Sequence, residues 1–268
     1  MGRIRDFFSG LTKKQAQRRA RKMRRQRSKR IEFLLTDDDD VSFNVMEAFR
    51  SLKVAISVSI PKTGDSLGKA ILLTSGCPED GKTTVTVNLA LMYAMSNAKV
   101  LLVDADIRKG RVARYFHKKS APGLSDYLSG LVSLDEITHQ AEQNENLSFI
   151  TCGTHSPRPY ELLESEEMKN LIAELRGKYD YIIIDTPPLL LVSDALAVVP
   201  NVDGSVLVCR HRETYVNDIT RSLQKLEFSN AKILGVVVND YSAYADMSYS
   251  KYDRYKYYQY AYSPHQQQ

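Results

Sequence analysis

The stretch Gly76-Cys77-Pro78-Glu79-Asp80-Gly81-Lys82-Thr83-Thr84 determines how the rest of this sequence is interpreted. A glycine, four residues and then Gly-Lys-Thr form the pattern of a phosphate-binding loop. An apolar run of strand length, residues 70–75, precedes it. Apolar side chains recur at helical spacing after it, at Val85, Leu89, Met92 and Tyr93. The pattern therefore lies between a strand and a helix, which is the context that such a loop requires.

The residue types in this loop suit a nucleoside triphosphate. Glycines let the backbone wrap closely around phosphate oxygens, and amides at the start of the next helix point at them. Lys82 can reach the β- and γ-phosphates, and the Thr83 hydroxyl can hold Mg²⁺. We therefore expect a nucleoside triphosphate to bind through residues of this loop, namely Gly76, Glu79, Asp80, Gly81, Lys82, Thr83 and Thr84.

Two later strand ends add carboxylates. Asp104 and Asp106 follow one apolar strand, and Asp185 follows a run of isoleucines. Mg²⁺ prefers oxygen ligands, usually one or two carboxylates with hydroxyl, water and phosphate oxygens. Thr83, Asp185 and one of the Asp104/Asp106 pair can meet that demand. The remaining carboxylate is then free to orient or deprotonate an attacking hydroxyl.

Strand and helix patterns alternate from the loop onward. The predicted strands are 69–75, 99–104, 147–151, 181–185, 204–209 and 233–239, and the predicted helices are 83–97, 124–128, 166–176, 193–199 and 216–227. Continuous apolar runs, such as 182–184 and 236–238, are typical of strands buried on both faces. The alternation predicts an α/β fold of the P-loop NTPase type. Its doubly wound, mostly parallel sheet would carry helices on both faces and ligands at the carboxyl ends of the strands.

Composition divides the chain into a basic arm (1–40), a P-loop domain (41–240) and a tail (241–268). Residues 1–30 hold thirteen Lys/Arg and one acid, a charge of +12, which leaves about −7 for the other 238 residues. Such an arm is typical of contact with anionic lipid, nucleic acid or an acidic partner, and a solvated segment without a ligand is the alternative. Apolar residues at helical spacing favour an interfacial helix on anionic lipid. These are Ile4, Phe7, Phe8 and Leu11.

Other classes of protein are disfavoured. The sequence has neither a run of about twenty apolar residues nor the apolar stretch that should follow a basic leader. Three widely spaced cysteines, Cys77, Cys152 and Cys209, suit a reducing cytoplasm and do not have metal-binding spacing.

Two segments flank the predicted sheet. Residues 44–56 form a predicted helix with one apolar face. Glu47 and Arg50 of this helix lie three residues apart, which is the spacing of a surface ion pair. Nine of the sixteen tyrosines stand between Tyr241 and Tyr262. Apolar residues do not recur there at the spacing of a helix or a strand, so we predict a flexible tail.

Together these motifs resemble those of the bacterial tyrosine kinases, of the cytoplasmic kind that serves capsular or extracellular polysaccharide synthesis. The resemblance covers about residues 43–262. It includes the segment 47–52, the phosphate loop, residues 101–110 and 181–188, and the tyrosine tail.

The resemblance implies that ATP and Mg²⁺ occupy the loop, with Asp104, Asp106 and Asp185 around the metal and the γ-phosphate. We assign Thr83, Asp104 and Asp185 to the metal, and Lys82, Asp104 and Asp106 to catalysis. Asp106 is our first candidate for the base that accepts the acceptor's proton, and Asp104 is the second.

The resemblance further implies a ring of subunits, commonly an octamer, in which Glu47 and Arg50 contact the neighbour. One subunit's tail would enter the next subunit's site and be phosphorylated in trans. The acceptors would be Tyr241, Tyr244, Tyr249, Tyr252, Tyr255, Tyr257, Tyr258, Tyr260 and Tyr262. A transmembrane activator of the co-polymerase kind would hold the kinase at the inner face of the plasma membrane. Other protein tyrosines and a cognate phosphatase are further expected partners, and specific nucleic acid is not expected.

One turn and the N-terminus depart from the pattern of this family, since the basic N-terminus, residues 1–30, is longer than the pattern requires. Gly110 stands where the family usually has proline, so the local turn is expected to differ. Partitioning or cell-division ATPases share the fold but resemble a loop with an extra lysine at the position of Cys77, and they lack a tyrosine tail. A nucleotide-dependent membrane scaffold is the other alternative.

Overall fold

The computed structural model describes Leu35, residues 43–60 and residues 67–241. The predicted arm, apart from Leu35, and the tail beyond Tyr241 lie outside the described residues. The apolar residues of the arm and eight of the nine tail tyrosines are therefore not placed.

Seven strands form one sheet in the order β3-β4-β2-β5-β1-β6-β7. The strands are β1 Lys69–Ser75, β2 Val100–Asp104, β3 Thr138–Gln140, β4 Leu147–Ile150, β5 Tyr181–Asp185, β6 Gly204–Arg210 and β7 Ile233–Asn239. All neighbouring strands are parallel except β3 and β4, which are antiparallel. The predicted mostly parallel α/β sheet is confirmed, and all six predicted strands are present.

The helices connect these strands. They are α1 Phe43–Ser59, α2 Lys82–Ala94, α3 Val112–Tyr115, α4 Leu124–Leu128, α5 Leu134–Ile137, α6 Pro159–Glu164, α7 Glu166–Arg176, α8 Asp194–Val198 and α9 Val216–Phe228. A short 3₁₀ turn, Val199–Asn201, follows α8. The sequence patterns missed β3 and the short helices α3, α5 and α6, because elements of three to six residues contain too little of a period to detect.

Burial in the central strands follows the apolar runs. On β5, Ile182 and Ile184 pack in one core with Leu171 and Leu175 of α7. Ile183 is also fully buried, and it faces the other side of the sheet because successive side chains in a strand alternate. The prediction of burial on both faces is therefore confirmed for this strand.

The same prediction is wrong for β7. Val236 and Val238 are 41% and 49% exposed, because β7 is the last strand of the sheet. A strand at the edge has a neighbour on one side only, so part of one face stays uncovered.

The first helix lies against the helix that follows the phosphate loop. The Tyr93 hydroxyl in α2 is 3.1 Å from Ser57 Oγ and donates to the Lys53 carbonyl at 3.3 Å. Ile56 is buried, whereas Val54 and Val58 of α1 are exposed. Of the helices within the described residues, none is both long enough and apolar enough to cross a bilayer.

The strand register brings the predicted site residues to one edge of the sheet. β2 and β5 are neighbours, and Asp104 is paired directly with Asp185. The same register pairs Leu73 of β1 with Asp185, and the phosphate loop begins just after β1. The loop and the predicted carboxylates therefore meet at the carboxyl ends of three adjacent parallel strands.

Candidate active site

The phosphate loop joins β1 to α2 through a left-handed turn. Gly81, the residue before α2, has φ +85°, and a Cβ there would lie 1.9 Å from Asn239 Nδ2. Glycine is required on both counts, because a side chain would meet backbone strain as well as a steric clash. Glu79 also has a positive φ, +68°. The backbone thus curves tightly around the start of α2, where its amides can face an anion.

Side chains from two later strands hold this loop in shape. Asp80 is 4% exposed; its carboxylate accepts from the Cys77 amide at 3.0 Å and from Thr214 Oγ1 at 2.7 Å. Asn239 Nδ2 donates to the Asp80 carbonyl at 3.0 Å, and Arg210 donates to the Glu79 carbonyl at 3.1 Å. The Asp80 side chain therefore stabilises the loop, and its contact with a phosphate would be through the backbone.

Lys82 and Thr83 converge on Asp185. Lys82 Nζ lies 2.9 Å from Asp185 Oδ2, and the Thr83 hydroxyl donates to the same oxygen at 2.7 Å. Thr86, one helical turn after Lys82, donates to the other oxygen at 3.1 Å. Burial alone would lower the pKa of Lys82, but the charges of Asp185 and Asp106 outweigh it and raise that pKa. The lysine is therefore held in its charged form.

The structure separates the roles of Asp104 and Asp106. Both oxygens of the fully buried Asp104 accept backbone amides, from Asp106 at 3.2 Å and from Val112 at 3.0 Å. Asp106 accepts the Lys109 amide on Oδ1 at 2.9 Å, while its Oδ2 lies 3.6 Å from Lys82 Nζ. Asp104 therefore fixes the loop that follows β2. Asp106 keeps one carboxylate oxygen directed towards the lysine of the phosphate loop.

The buried carboxylates favour a bound cation. Burial and the neighbouring Asp185 raise the pKa of Asp104 to about 8. Burial also raises the pKa of Asp185, although Lys82 and the Thr83 hydroxyl act in the opposite direction. Two adjacent carboxylates are costly to keep charged, and a nearby cation offsets that cost.

The oxygen donors fit Mg²⁺ that is held mainly by phosphate and water. Within the part of the chain that is described, no three His, Cys, Asp or Glu side chains are arranged to hold a metal by themselves. The Thr83 hydroxyl and the Asp185 carboxylate are hard donors 2.7 Å apart. Mg²⁺ usually takes only one or two protein carboxylates and completes its shell with substrate phosphates and water.

Several supporting residues were not predicted. The Thr84 hydroxyl lies 2.7 Å from the Tyr115 hydroxyl of α3, and Arg108 binds Asp194 through two hydrogen bonds of 2.7 and 3.0 Å. The sequence could have identified Thr86, because it lies four residues after Lys82 on the same helical face. The Arg108–Asp194 pair had none, since its members are 86 residues apart.

The turn after β2 is tight at Gly110. A Cβ at this position would lie 2.5 Å from Asp104 Oδ2 and 2.6 Å from Cys152 Cβ. The turn therefore passes closer to the buried carboxylate than a side chain at this position permits.

The remaining predicted site residues lie away from the loop or at its edge. Glu47 and Arg50 lie 3.5 Å apart on α1, with about half of each side chain exposed. Tyr241 follows β7, and its ring centroid is 4.8 Å from that of His211. The other tail tyrosines lie outside the described residues.

Comparison with known proteins identifies the family. A family model described as an AAA domain matches residues 76–233. The chain is 34% identical to the tyrosine-protein kinase YwqD of Bacillus subtilis (strain 168) over 238 residues, which is 89% of this chain and 95% of that protein. It is 34% identical to the tyrosine-protein kinase Etk of Escherichia coli (strain K12), over 84% of this chain and 30% of that protein. The chain thus spans less than a third of the longer relatives it matches.

Solved structures agree with the sequence comparison. The kinase domain of Escherichia coli tyrosine kinase Etk superposes with a TM-score of 0.68 at 33% identity, covering 76% of this chain and 79% of that one. The chimerical protein CapA2B2 gives a TM-score of 0.70 at 29% identity, covering 77% and 92%. The septum site-determining protein MinD of Pyrococcus horikoshii, complexed with Mg-ADP, gives 0.57 at 25% identity, covering 70% and 77%.

The likeness to MinD reflects the shared P-loop NTPase fold, and the likeness to YwqD extends over nearly the whole of both chains. The phosphate loop, the paired aspartates at the end of β2 and the aspartate at the end of β5 occupy one edge of the sheet. This chain belongs to the bacterial tyrosine kinase family.

Proposed function

We propose that the chain is an ATP-dependent protein-tyrosine kinase that phosphorylates the tyrosine cluster of another copy of itself. The observation that carries the proposal is the position at which the tail leaves the fold. Asn239, the last residue of β7, contacts the phosphate loop at Asp80, and the tyrosine-rich segment begins two residues later at Tyr241. A cluster of nine acceptors thus starts at the edge of the nucleotide site.

The transfer is an in-line displacement at the γ-phosphorus of ATP. The bond from the γ-phosphorus to the bridging oxygen breaks and ADP leaves, while a bond forms to the tyrosine oxygen. Lys82 and the backbone amides of 79–84 hold the phosphates and offset their charge. Thr83 and Asp185 would hold bound Mg²⁺, and Asp104, which is paired with Asp185 in the sheet, would be a further carboxylate for it. The ion would offset more of the charge on the phosphates.

Asp106 is the group best placed to accept the phenol proton. A phenol of pKa near 10 is a weak nucleophile at neutral pH, so a carboxylate that takes its proton assists the transfer. Asp106 Oδ2 is 3.6 Å from Lys82 Nζ, whereas both oxygens of Asp104 are occupied by backbone amides. This geometry favours Asp106 over Asp104, the order expected from the sequence. With Asp106→Asn, phosphorylation should fall while ATP still binds; an unchanged rate would exclude this role.

We propose that the active form is a ring in which Glu47 and Arg50 contact the neighbouring subunit. An exposed pair such as theirs contributes about 0–1 kcal/mol within one chain, so its loss should affect assembly more than folding. A transmembrane activator of polysaccharide synthesis would hold the kinase at the inner face of the membrane, and the basic arm would add contact with anionic lipid. Other protein tyrosines and a cognate phosphatase complete the proposed set of partners.

Phosphotyrosine mass spectrometry tests the proposed activity. We expect phosphate within residues 241–262 of the chain incubated with ATP and Mg²⁺, and none with Lys82→Met. Each sample is measured with and without a cytoplasmic peptide of a candidate activator. A strict need for the peptide would place part of the site on the activator, and ATP consumption without phosphotyrosine under either condition would exclude the kinase.

That last outcome would favour a partitioning-type ATPase, which has a similar fold. At the position of that class's extra lysine, Cys77 Sγ lies 3.8 Å from Asp218 Oδ2. Burial and Asp218 raise the pKa of this thiol, so Cys77 stays neutral where that class has a positively charged lysine.

A further inference from the structure

The segment that follows Asp106 carries positive charge that the proposed phosphate transfer does not use. Residues 107–119, here called the basic segment, contain six Lys/Arg and no acidic residue, although residues 31–268 together carry about −7. The six cations are Arg108, Lys109, Arg111, Arg114, Lys118 and Lys119. A local charge of +6 in a globular part that is acidic overall indicates a surface for an anionic partner.

Two backbone hydrogen bonds hold the basic segment against the active-site carboxylates. The Lys109 amide donates to Asp106 at 2.9 Å, and the Val112 amide donates to Asp104 at 3.0 Å. Since consecutive Cα atoms are about 3.8 Å apart, the Lys109 and Arg111 side chains both start beside the acidic pair. Their charges therefore border the place where the acceptor must enter.

In the part of the chain that the structure describes, most of these charges have no carboxylate beside them. Arg108 is paired with Asp194, and Lys118 lies 3.8 Å from Glu142. Among the described residues, no carboxylate lies within 4.0 Å of the other four cations, Lys109, Arg111, Arg114 and Lys119. Three of these four are exposed and Arg111 is half-buried, so they can contact a partner.

We propose that the basic segment binds a phosphotyrosine already formed on the acceptor tail and thereby presents the next tyrosine to the site. The unmodified tail, residues 241–268, carries three Lys/Arg and two Asp, so a cationic surface does not attract it. Each phosphotyrosine adds about −1.5 to −2 charges, and arginine can bind phosphate through two parallel hydrogen bonds. The surface thus selects tails that have been phosphorylated once. This inference rests on the proposed kinase function.

The spacing of the tail tyrosines suits this arrangement. Neighbouring tyrosines between 241 and 262 are one to five residues apart. An extended peptide advances about 3.4 Å per residue, so a phosphotyrosine two or three residues from the acceptor lies roughly 7–10 Å away. An arginine side chain rooted beside the acidic pair can reach a phosphate at that distance.

The test compares two peptides that span residues 249–262, one unmodified and one with phosphotyrosine at Tyr258, as substrates of the full chain. We expect about a tenfold lower KM for the phosphorylated peptide, the combined effect of a few exposed charge pairs. Arg111→Ala/Arg114→Ala should abolish the difference, and Arg111→Lys/Arg114→Lys should keep part of it. Lys99→Ala/Lys232→Ala, which removes equal charge at the opposite ends of β2 and β7, should keep all of it.

Equal KM values for the two peptides with the unmodified enzyme would overturn the inference. So would a preference that survives in Arg111→Ala/Arg114→Ala. Failure of the kinase proposal itself has a different signature, because neither peptide would then gain phosphate with any form of the chain.

Discussion

The hydrogen bonds of Asp80 give a prediction about the phosphate loop that can be worked out from distances. This carboxylate is almost fully buried and accepts the Cys77 amide at 3.0 Å and the Thr214 hydroxyl at 2.7 Å. Asp80→Ala leaves both donors without a partner. A hydrogen bond to a charged group contributes about 1.5–3 kcal/mol, so two such bonds are worth about 3–6 kcal/mol in gross terms.

The net loss should be smaller than that gross value. Burial raises the pKa of the Asp80 carboxyl above its ordinary range, and the bonds from Thr214 and Cys77 only partly offset this. The charge therefore costs free energy in the folded state. We expect Asp80→Ala to lower the free energy of unfolding by about 2–4 kcal/mol, and Tm by about 5–15 °C for a fold of this size.

The same change should weaken ATP binding, because the loop must regain its shape when the nucleotide binds. We expect a loss of about tenfold or more in affinity, which corresponds to about 1.4 kcal/mol. Thermal unfolding followed by circular dichroism gives the stability, and isothermal titration calorimetry with Mg²⁺ present gives the affinity.

A double-mutant cycle with Thr214→Val provides the matched control. Thr214→Val removes one of the two bonds, and also the bond that Thr214 Oγ1 accepts from the Arg210 amide at 2.7 Å, and should cost about 1–2 kcal/mol. The double variant should cost less than the sum of the single variants, because the shared bond is lost only once. Asp80 does not stabilise the loop in this way if Asp80→Ala unfolds and binds ATP like the unmodified chain, or if the effects of the two changes are strictly additive.

Three further predictions concern single positions. Gly81→Ala should nearly abolish ATP binding while the sheet remains folded, because the new Cβ would collide with Asn239. Titration calorimetry measures the affinity and far-ultraviolet circular dichroism checks the fold; an unchanged affinity would contradict the prediction. Asp126→Asn tests a pH effect: burial raises the pKa of Asp126, but hydrogen bonds from Thr154 and Gly123 outweigh burial and lower it. The stabilisation by that carboxylate is present above the unfolded-state pKa of about 3.9 and is lost as pH falls through the lower folded-state value. The advantage over Asp126→Asn in urea unfolding should therefore shrink from pH 6 to pH 3, and a constant difference would be evidence against it. Arg108→Lys should lower stability by about 1–2 kcal/mol, because lysine cannot reproduce two bonds to the buried Asp194; a change under 0.3 kcal/mol in urea unfolding would contradict that.

Much of the fold was predictable from short-range patterns. The spacing of Gly76, Gly81 and Lys82 fixed the loop between a strand and a helix, and the apolar runs located six of the seven strands. The parallel sheet then placed Asp104 and Asp185 at one edge, as their register shows.

The rest depended on information that local sequence does not contain. Asp104 and Asp106 look equivalent in sequence, and they differ because backbone amides occupy both oxygens of Asp104. The exposure of Val236 follows from the edge position of β7, which is set by the order of the whole sheet. The pairing of Arg108 with Asp194 arises only when the chain has folded.

The measurement that tests the central proposal most directly mixes two full-length forms of the chain. One carries Lys82→Met and an intact tail, so that it can only accept phosphate. The other has phenylalanine at all nine tail tyrosines, so that it can only donate. We expect phosphotyrosine on the tail of the Lys82→Met form when both forms, ATP and Mg²⁺ are present, and its loss when the donor also carries Asp106→Asn. Consumption of ATP without phosphotyrosine on the Lys82→Met form would contradict transfer between copies.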